Sequence, residues 1–459
     1  MRALREAASE ANIPYRMAAS EADIPYLIDA IASATGGLAA HRAAAQLAEC
    51  LATAAGPVVA RAHAPALRAL APAALTARRG DATLAHAATL CAVLASMACA
   101  AAAPRSRTEI AAVAQLLQNA TNAAPKPSPS KRRKRKGFFA KGKDHAVHFP
   151  EMASPELARC LALHPSVSPR RAACALARLA LRTRGRAQEG GFYGARPVDD
   201  RGAARLAFGD AGGVEALGAL GGPEVLEAAA EACAGCPQNV SRLRATGLVA
   251  AAVTAIPAEA ALRLIVDATH LHPPSTRLVG RLAGLATLTQ VVDGFDARLL
   301  ALTALANCLE VDVENCKAYE CEPLARRLAA LLQKISFDES SDWKVEDVLE
   351  GAHCAVPLAC VARRAACRAN ALQALTGAAV EPTALARLLE ALAVVQARSG
   401  ALDRDTAAAL AVLVHDLKKL FPGGPPTPEP KRGARQQTSP VGVETPTSEG
   451  APSSPPRTP

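Results

Sequence analysis

Residues 239–250 read Asn239-Val240-Ser241-Arg242-Leu243-Arg244-Ala245-Thr246-Gly247-Leu248-Val249-Ala250, and residues 315–325 read Asn315-Cys316-Lys317-Ala318-Tyr319-Glu320-Cys321-Glu322-Pro323-Leu324-Ala325. Each follows an Ala/Leu-rich helical stretch, 223–234 in the first case and 296–310 in the second. An Asn-bearing polar turn leads into a short helix, Gly247 or Glu322-Pro323 breaks it, and an apolar helix resumes. This order predicts repeats of armadillo or HEAT type, whose units bury their apolar faces only by stacking on neighbours. The expected fold class is all-α, an irregular armadillo/HEAT-like helical repeat solenoid. A scaffold of this kind directs attention to surfaces and partners before any catalytic pocket.

Composition points the same way. The chain has 459 residues, 50% hydrophobic but only 3% aromatic, so its core is built from Ala, Leu and Val. Ala and Leu are the best helix formers, whereas strands favour β-branched and aromatic residues. The formal net charge is +10. Most of it comes from Lys126, the run Lys131-Arg132-Arg133-Lys134-Arg135-Lys136, Lys141 and Lys143, which leaves the rest close to neutral. A neutral body with one basic tract is unlike a nucleic-acid-binding fold with a broad electrostatic footprint, so direct DNA binding is not expected. The 13 Cys lie mostly within helical patterns and read as reduced, buried small hydrophobes of an intracellular protein. Arg2, Arg5, Glu6 and Glu10 interrupt any apolar run at the start, so no signal peptide is expected. Residues 82–104 carry no Asp, Glu, Lys or Arg. That is long enough for a membrane span, but a helix buried among repeats is the better reading.

The chain divides into a short segment 1–19, helical repeats over 20–121, a basic insertion 122–153, further repeats over 154–420 and a Pro/Ser/Thr-rich tail 421–459. Helices are expected near 25–35, 38–55, 57–76, 80–102 and 106–119, then at 154–163 and 168–183, and in close succession from 203 to 335 and from 343 to 420. The insertion and the tail lack apolar periodicity and are expected to be disordered. In the tail, Thr427, Ser439, Thr445, Ser454 and Thr458 each precede Pro, a pattern suited to proline-directed kinases.

Several segments together resemble the wings apart-like (Wapl) family of cohesin-release factors. Tyr26-Leu27-Ile28-Asp29-Ala30-Ile31 resembles the family's Y-L-L-D-G-L, and His41-Arg42-Ala43-Ala44-Ala45-Gln46-Leu47-Ala48 its R-R-S-S-A-L-S-L-A. Arg61-Ala62-His63-Ala64 is similar to R-A-H-G, and Gly212-Gly213-Val214 to L-G-G-L. Glu231-Ala232-Cys233 through Pro237-Gln238-Asn239-Val240 resembles the N-P-E-N-Q turn, and Arg298-Leu299-Leu300-Ala301-Leu302 through Asn307-Cys308-Leu309-Glu310 resembles R-V-L-G-L-G-L-L-I-N-L-V-E. Order and spacing persist over residues 20–420, although no single piece is specific. The Phe-Gly-Phe motif that some members use to dock a HEAT-repeat partner is absent from this sequence, which leaves the docking mode open. The resemblance implies a nuclear, non-enzymatic protein that binds cohesin subunits and associated HEAT-repeat regulators and promotes release of cohesin from chromatin.

The basic run Lys131, Arg132, Arg133, Lys134, Arg135 and Lys136 fits a nuclear localisation signal read by an import receptor, ahead of weak phosphate binding or a merely solvated loop. Cys233 and Cys236 form a lone pair with no second pair at zinc-finger spacing, so buried thiols are the better reading. His270 and His272 near Asp267 read as a helix terminus rather than a metal site. No phosphate-binding, dinucleotide, metalloprotease or nucleophile-elbow pattern carries a strand-and-helix context, so no catalytic residue and no cofactor is expected. Asn239 and Asn315 are expected to satisfy backbone groups at their turns. Gln238, Asn239, Arg242 and Arg298 are the candidate partner surface, chosen as polar groups at turns. The alternative to cohesin release is an armadillo-type adaptor holding extended peptides of partner proteins. A Wapl-type fold should show irregular helices with a partner surface over its C-terminal half; an adaptor should show regular three-helix repeats and a groove lined by Asn.

Overall fold

The structure is a computed structural model; it describes residues 24–32, 38–53, 56–78, 80–122, 168–182, 201–282, 284–291, 294–321, 324–334, 344–399, 402 and 404–422. Among these residues every element is helical and no strand occurs. The all-α solenoid expected from the Ala/Leu pattern is what the chain forms. The helix expected at 154–163, the basic insertion and nearly all of the tail lie outside the described residues.

The N-terminal part comprises α1 (Ile24–Ala32), α2 (Leu38–Ala52), α3 (Gly56–Ala62), α4 (Ala64–Leu67), α5 (Leu70–Ala77), α6 (Ala82–Ala98), α7 (Arg107–Asn122) and α8 (Pro169–Leu181). One helix was expected over 57–76, but three short ones occupy it. Pro65 and Pro72 lack an N–H and fall in the first turns of α4 and α5, where no intrahelical donor is required. The charge-free stretch is α6, buried along most of its length against α2, α5 and α8. Asp81 starts it, accepting from the backbone N–H of Thr83 and Leu84, and pairs at 2.5 Å with Nε2 of buried His41. At α7, Ser106 and Glu109 cap one another: the Glu109 N–H donates to Ser106 Oγ at 3.2 Å, and the Ser106 N–H to Glu109 Oε2 at 2.9 Å. Among the described residues no single helix is long and apolar enough to cross a membrane.

Residues 201–363 fall into four successive three-helix units. They are α9 (Gly202–Asp210), α10 (Gly213–Leu220) and α11 (Pro223–Cys233); α12 (Pro237–Ala245), α13 (Leu248–Thr254) and α14 (Glu259–Thr269); α15 (Pro273–Arg281), α16 (Gly284–Leu288) and α17 (Phe295–Val311); and α18 (Val313–Cys321), α19 (Leu324–Lys334) and α20 (Val345–Arg363). The first helix has nine residues in all four units. Pro at the start of α12 and α15 fixes the entry, since an N-terminal Pro forfeits only an N–H that has no partner there. Gly212 and Gly247 both take φ +77° at the turn into the second helix, a left-handed conformation that disfavours any side chain. The body closes with α21 (Arg368–Gly377), α22 (Pro382–Arg398) and α23 (Arg404–Leu420).

The third helices stack in series. α11 packs on α14, α14 on α17 and α17 on α20; the row continues through α8, α6 and α2 on one side and α22 and α23 on the other. One hydrophobic core runs along it. Ion pairs cross the row at Arg170–Glu224 (2.9 Å), Arg298–Glu350 (2.9 Å) and Lys418–Glu390 (2.6 Å), and between Arg178 and Glu227.

Candidate partner-binding surface

Asn239 and Asn315 occupy the same place in two units, the third residue of the first helix. Asn239 Nδ2 donates to the carbonyls of Ala232 and Arg205, each at 2.8 Å. Asn315 Nδ2 donates to the carbonyls of Cys308 and Thr276, each at 3.1 Å. One acceptor lies seven residues back, near the end of the preceding third helix; the other lies in the first helix of the preceding unit. Each amide therefore ties two units together. Both side chains are buried, so Asn239, proposed for an exposed turn, sits inside the packing instead, and neither Asn lines a groove. Asn307 on α17 also works between helices, its Nδ2 donating to the Val266 carbonyl at 3.2 Å.

Among the other candidates, Gln238 is exposed beside Asn239. Arg242, half-buried one turn on, pairs with Asp210 of α9 at 2.8 Å. Arg298 is remote from these three, on α17, and its ion pair with Glu350 has side chains only 23% and 18% exposed. It joins two third helices and offers little to a partner. The basic run from Lys131 to Lys136 lies outside the described residues.

The sequence reading missed a charged band on the third-helix row. Arg178 and Arg182 belong to α8 and its end, Glu227 and Glu231 to α11, Arg263 and Asp267 to α14. Glu227 and Arg263 are exposed, whereas Glu231 and Asp267 are half-buried. Burial raises the Glu231 carboxyl above its usual value, opposed by Arg182, Arg205, Arg263 and Arg178. The Asp267 carboxyl is pushed up to about 7, chiefly by burial and then by Glu231, against Arg205 and Arg263. The two Arg of α8 thus adjoin the two Glu of α11, which in turn adjoin Arg263 and Asp267 of α14. Such a band can engage an extended chain bearing both charges, each contact being modest where solvent reaches it. The signal was present as a recurrence of charge four residues apart in 227–231 and 263–267, but nothing local said that these turns adjoin.

No group of three or more metal-ligating side chains occurs among the described residues. Cys233 and Cys236 are both buried, and burial raises the Cys233 thiol. His272 instead links units, with Nδ1 2.8 Å from Ser275 Oγ and Nε2 3.4 Å from Ser241 Oγ.

Neither a protein-family model nor a curated protein matches the chain. Among solved structures, an engineered protein from the Northeast Structural Genomics Consortium is similar over 55% of this chain and 91% of its own, with 18% identity and a TM-score of 0.38.

Proposed function

We propose that the chain is an armadillo-type adaptor that binds other proteins through the face of its stacked third helices. The observation that carries this reading is the stacking of residues 201–363: four three-helix units whose first helices have nine residues each and whose third helices, 11 to 19 residues long, form one continuous row. A quasi-one-dimensional stack of this kind offers an extended surface on which a partner's chain can lie across several units. Its contribution is binding energy, not chemistry. The buried Asn pair supplies rigidity, and the mixed charges at Glu227, Glu231, Arg263 and Asp267 supply the surface. A photo-crosslinking residue placed at Glu227 or Arg263 tests it: specific adducts with the same partner from both positions support the reading, and adducts from neither refute it.

A narrower reading within this class is the cohesin-release factor. In its favour, the Wapl-like segments fall in order on α1, α2, α3, the α9–α10 turn, α11–α12 and α17. On that reading the partners are cohesin subunits and their HEAT-repeat regulators, the site of action is the nucleus, and loss of the chain lengthens cohesin's residence on chromatin. Fluorescence recovery of chromatin-bound cohesin, unchanged after deletion of residues 200–420, would remove the cohesin reading and leave the adaptor.

A further inference from the structure

The turn from α14 into α15 carries a leucine where the backbone favours a glycine. Leu271 takes φ +49°, a left-handed conformation in which the Cβ of a bulky residue crowds the main chain. The turn from α11 into α12 shows where this demand comes from. There Gly235 takes φ +62°. The next residue has nearly the same backbone in both turns, φ −123° and ψ 87° at Cys236 and φ −123° and ψ 85° at His272. Both turns also close alike: the Cys236 N–H donates to the Cys233 carbonyl at 2.9 Å, and the His272 N–H to the Thr269 carbonyl at 3.3 Å. The passage from one unit to the next therefore sets the left-handed residue. Glycine meets that demand freely in one turn, and leucine meets it under strain in the other.

The strained side chain gains no burial in return. Leu271 is 76% exposed, more than any other large apolar residue described. The turn is held from both sides. Thr269 is fully buried, its Oγ1 donating to the Ile265 carbonyl at 2.7 Å and lying 3.3 Å from Asn307 Nδ2. His272 is fixed by Ser275 and Ser241. A side chain that is unfavourable through its backbone and again through its exposure serves neither folding nor packing.

The surroundings indicate what would cover it. The contact of His272 with Ser241 sets the turn against the exposed side of α12. Arg244 lies three residues beyond Ser241, exposed and without an ion pair to any described residue. Burial, and then Arg244, hold the His272 imidazole below its ordinary value, so it is uncharged at neutral pH and the Arg sets the local charge. An apolar side chain beside an unpaired cation complements a segment that carries a large apolar residue next to a carboxylate. Leu271 also follows Asp267 by four residues, just past the carboxyl end of α14.

We infer that Leu271 is an apolar anchor for a partner protein, docking a segment whose large apolar side chain packs on Leu271 and whose adjoining Asp or Glu pairs with Arg244. This deepens the adaptor reading and rests on it: a chain lying across the third helices at Arg263 and Asp267 meets Leu271 at the edge of that face.

The test uses the full chain and two substitutions at one position. Leu271→Ala removes the anchor and keeps the strain, whereas Leu271→Gly removes both. Leu271→Gly should unfold at a urea concentration no lower than the parent and higher than Leu271→Ala. The binding probe is a phage-displayed library of random peptides selected on the parent. Enriched peptides should carry Asp or Glu beside a large apolar residue, and should bind about tenfold or more weakly to Leu271→Gly and to Arg244→Glu. The same peptides titrated against Glu227→Arg with Arg263→Glu separate the two claims. Weakening by that variant with none by Leu271→Gly would overturn the anchor and leave the adaptor. Weakening by Leu271→Gly alone would keep the anchor and count against the third-helix face. A Leu271→Gly chain less stable than the parent would make Leu271 a packing residue, and a library that yields no peptide sensitive to Leu271→Gly would leave no anchor; either result overturns the inference.

Discussion

The side chain of Asn239 closes over Gly209 so tightly that a Cβ added to the glycine would lie 1.9 Å from Asn239 Oδ1. Asn315 stands in the same relation to Gly280, again at 1.9 Å. In each unit the glycine lies four residues beyond the carbonyl that accepts from the Asn. Gly209 follows Arg205, and Gly280 follows Thr276. The Asn amide can reach across to the neighbouring first helix only because the facing residue has no side chain.

This pairing predicts strong coupling. Asn239→Ala leaves two interhelix bonds unmade and should cost about 1–3 kcal/mol. Gly209→Ala alone forces the Asn aside and should cost about as much, although Ala normally favours a helix over Gly. In the double variant the clash with Asn239 is gone and only the movable end of Arg242, 2.4 Å from the added Cβ, must shift, so the combined cost should fall short of the sum by about 1 kcal/mol or more. Urea denaturation of the four proteins measures this; additive costs would mean that the two residues do not touch in solution.

The two Asn-bearing segments were legible because turn chemistry is local: Asn, Gly and Pro mark each break, and the Ala/Leu periodicity marks each helix. The structural reading of Asn239 and Asn315 holds for the same reason, since one of their acceptors lies only seven residues back. What could not be read was any pairing between units. Arg298 reads as a free surface charge until Glu350, 52 residues later in the chain, is placed against it. The breaks at Pro65 and Pro72 were visible in the sequence, but a Pro does not say whether it kinks a helix or starts a new one.

Arg298→Glu should therefore act on stability. It places two acids where a half-buried pair stood, and should cost about 3 kcal/mol. The swapped variant, Arg298→Glu with Glu350→Arg, should recover most of that loss. Thermal melts followed by circular dichroism decide the point; a charge reversal at Arg298 that leaves the melting temperature unmoved would return this residue to the surface.

Asp267 makes stability depend on pH. Its carboxyl is raised from 3.8 to about 7, chiefly by burial. Between those values the folded chain retains a proton that the unfolded chain has lost, so stability falls as pH rises through the window and stays lower above it. Asp267→Asn removes the ionisation. Relative to the parent, the variant should gain about 1–3 kcal/mol on moving from about pH 4 to about pH 8. A pH-independent difference between the two proteins would contradict this assignment.

The basic run is a separate address prediction. Replacing Lys131, Arg132, Arg133, Lys134, Arg135 and Lys136 with Ala should shift a fluorescently tagged chain from nucleus to cytoplasm, if an import receptor reads it. Unchanged nuclear accumulation would remove this run as the signal.

The adaptor reading turns on which face of the solenoid holds the partner. Quantitative affinity purification of three tagged chains measures that directly: the parent, a third-helix variant with Glu227→Arg and Arg263→Glu, and a control with Glu215→Lys and Arg281→Glu on exposed positions of α10 and α15. The account predicts that proteins recovered with the parent are retained by the control and fall by about tenfold or more with the third-helix variant, about 1.4 kcal/mol of lost binding. Equal recovery from the third-helix variant and the parent, with both variants folded by circular dichroism, would contradict it.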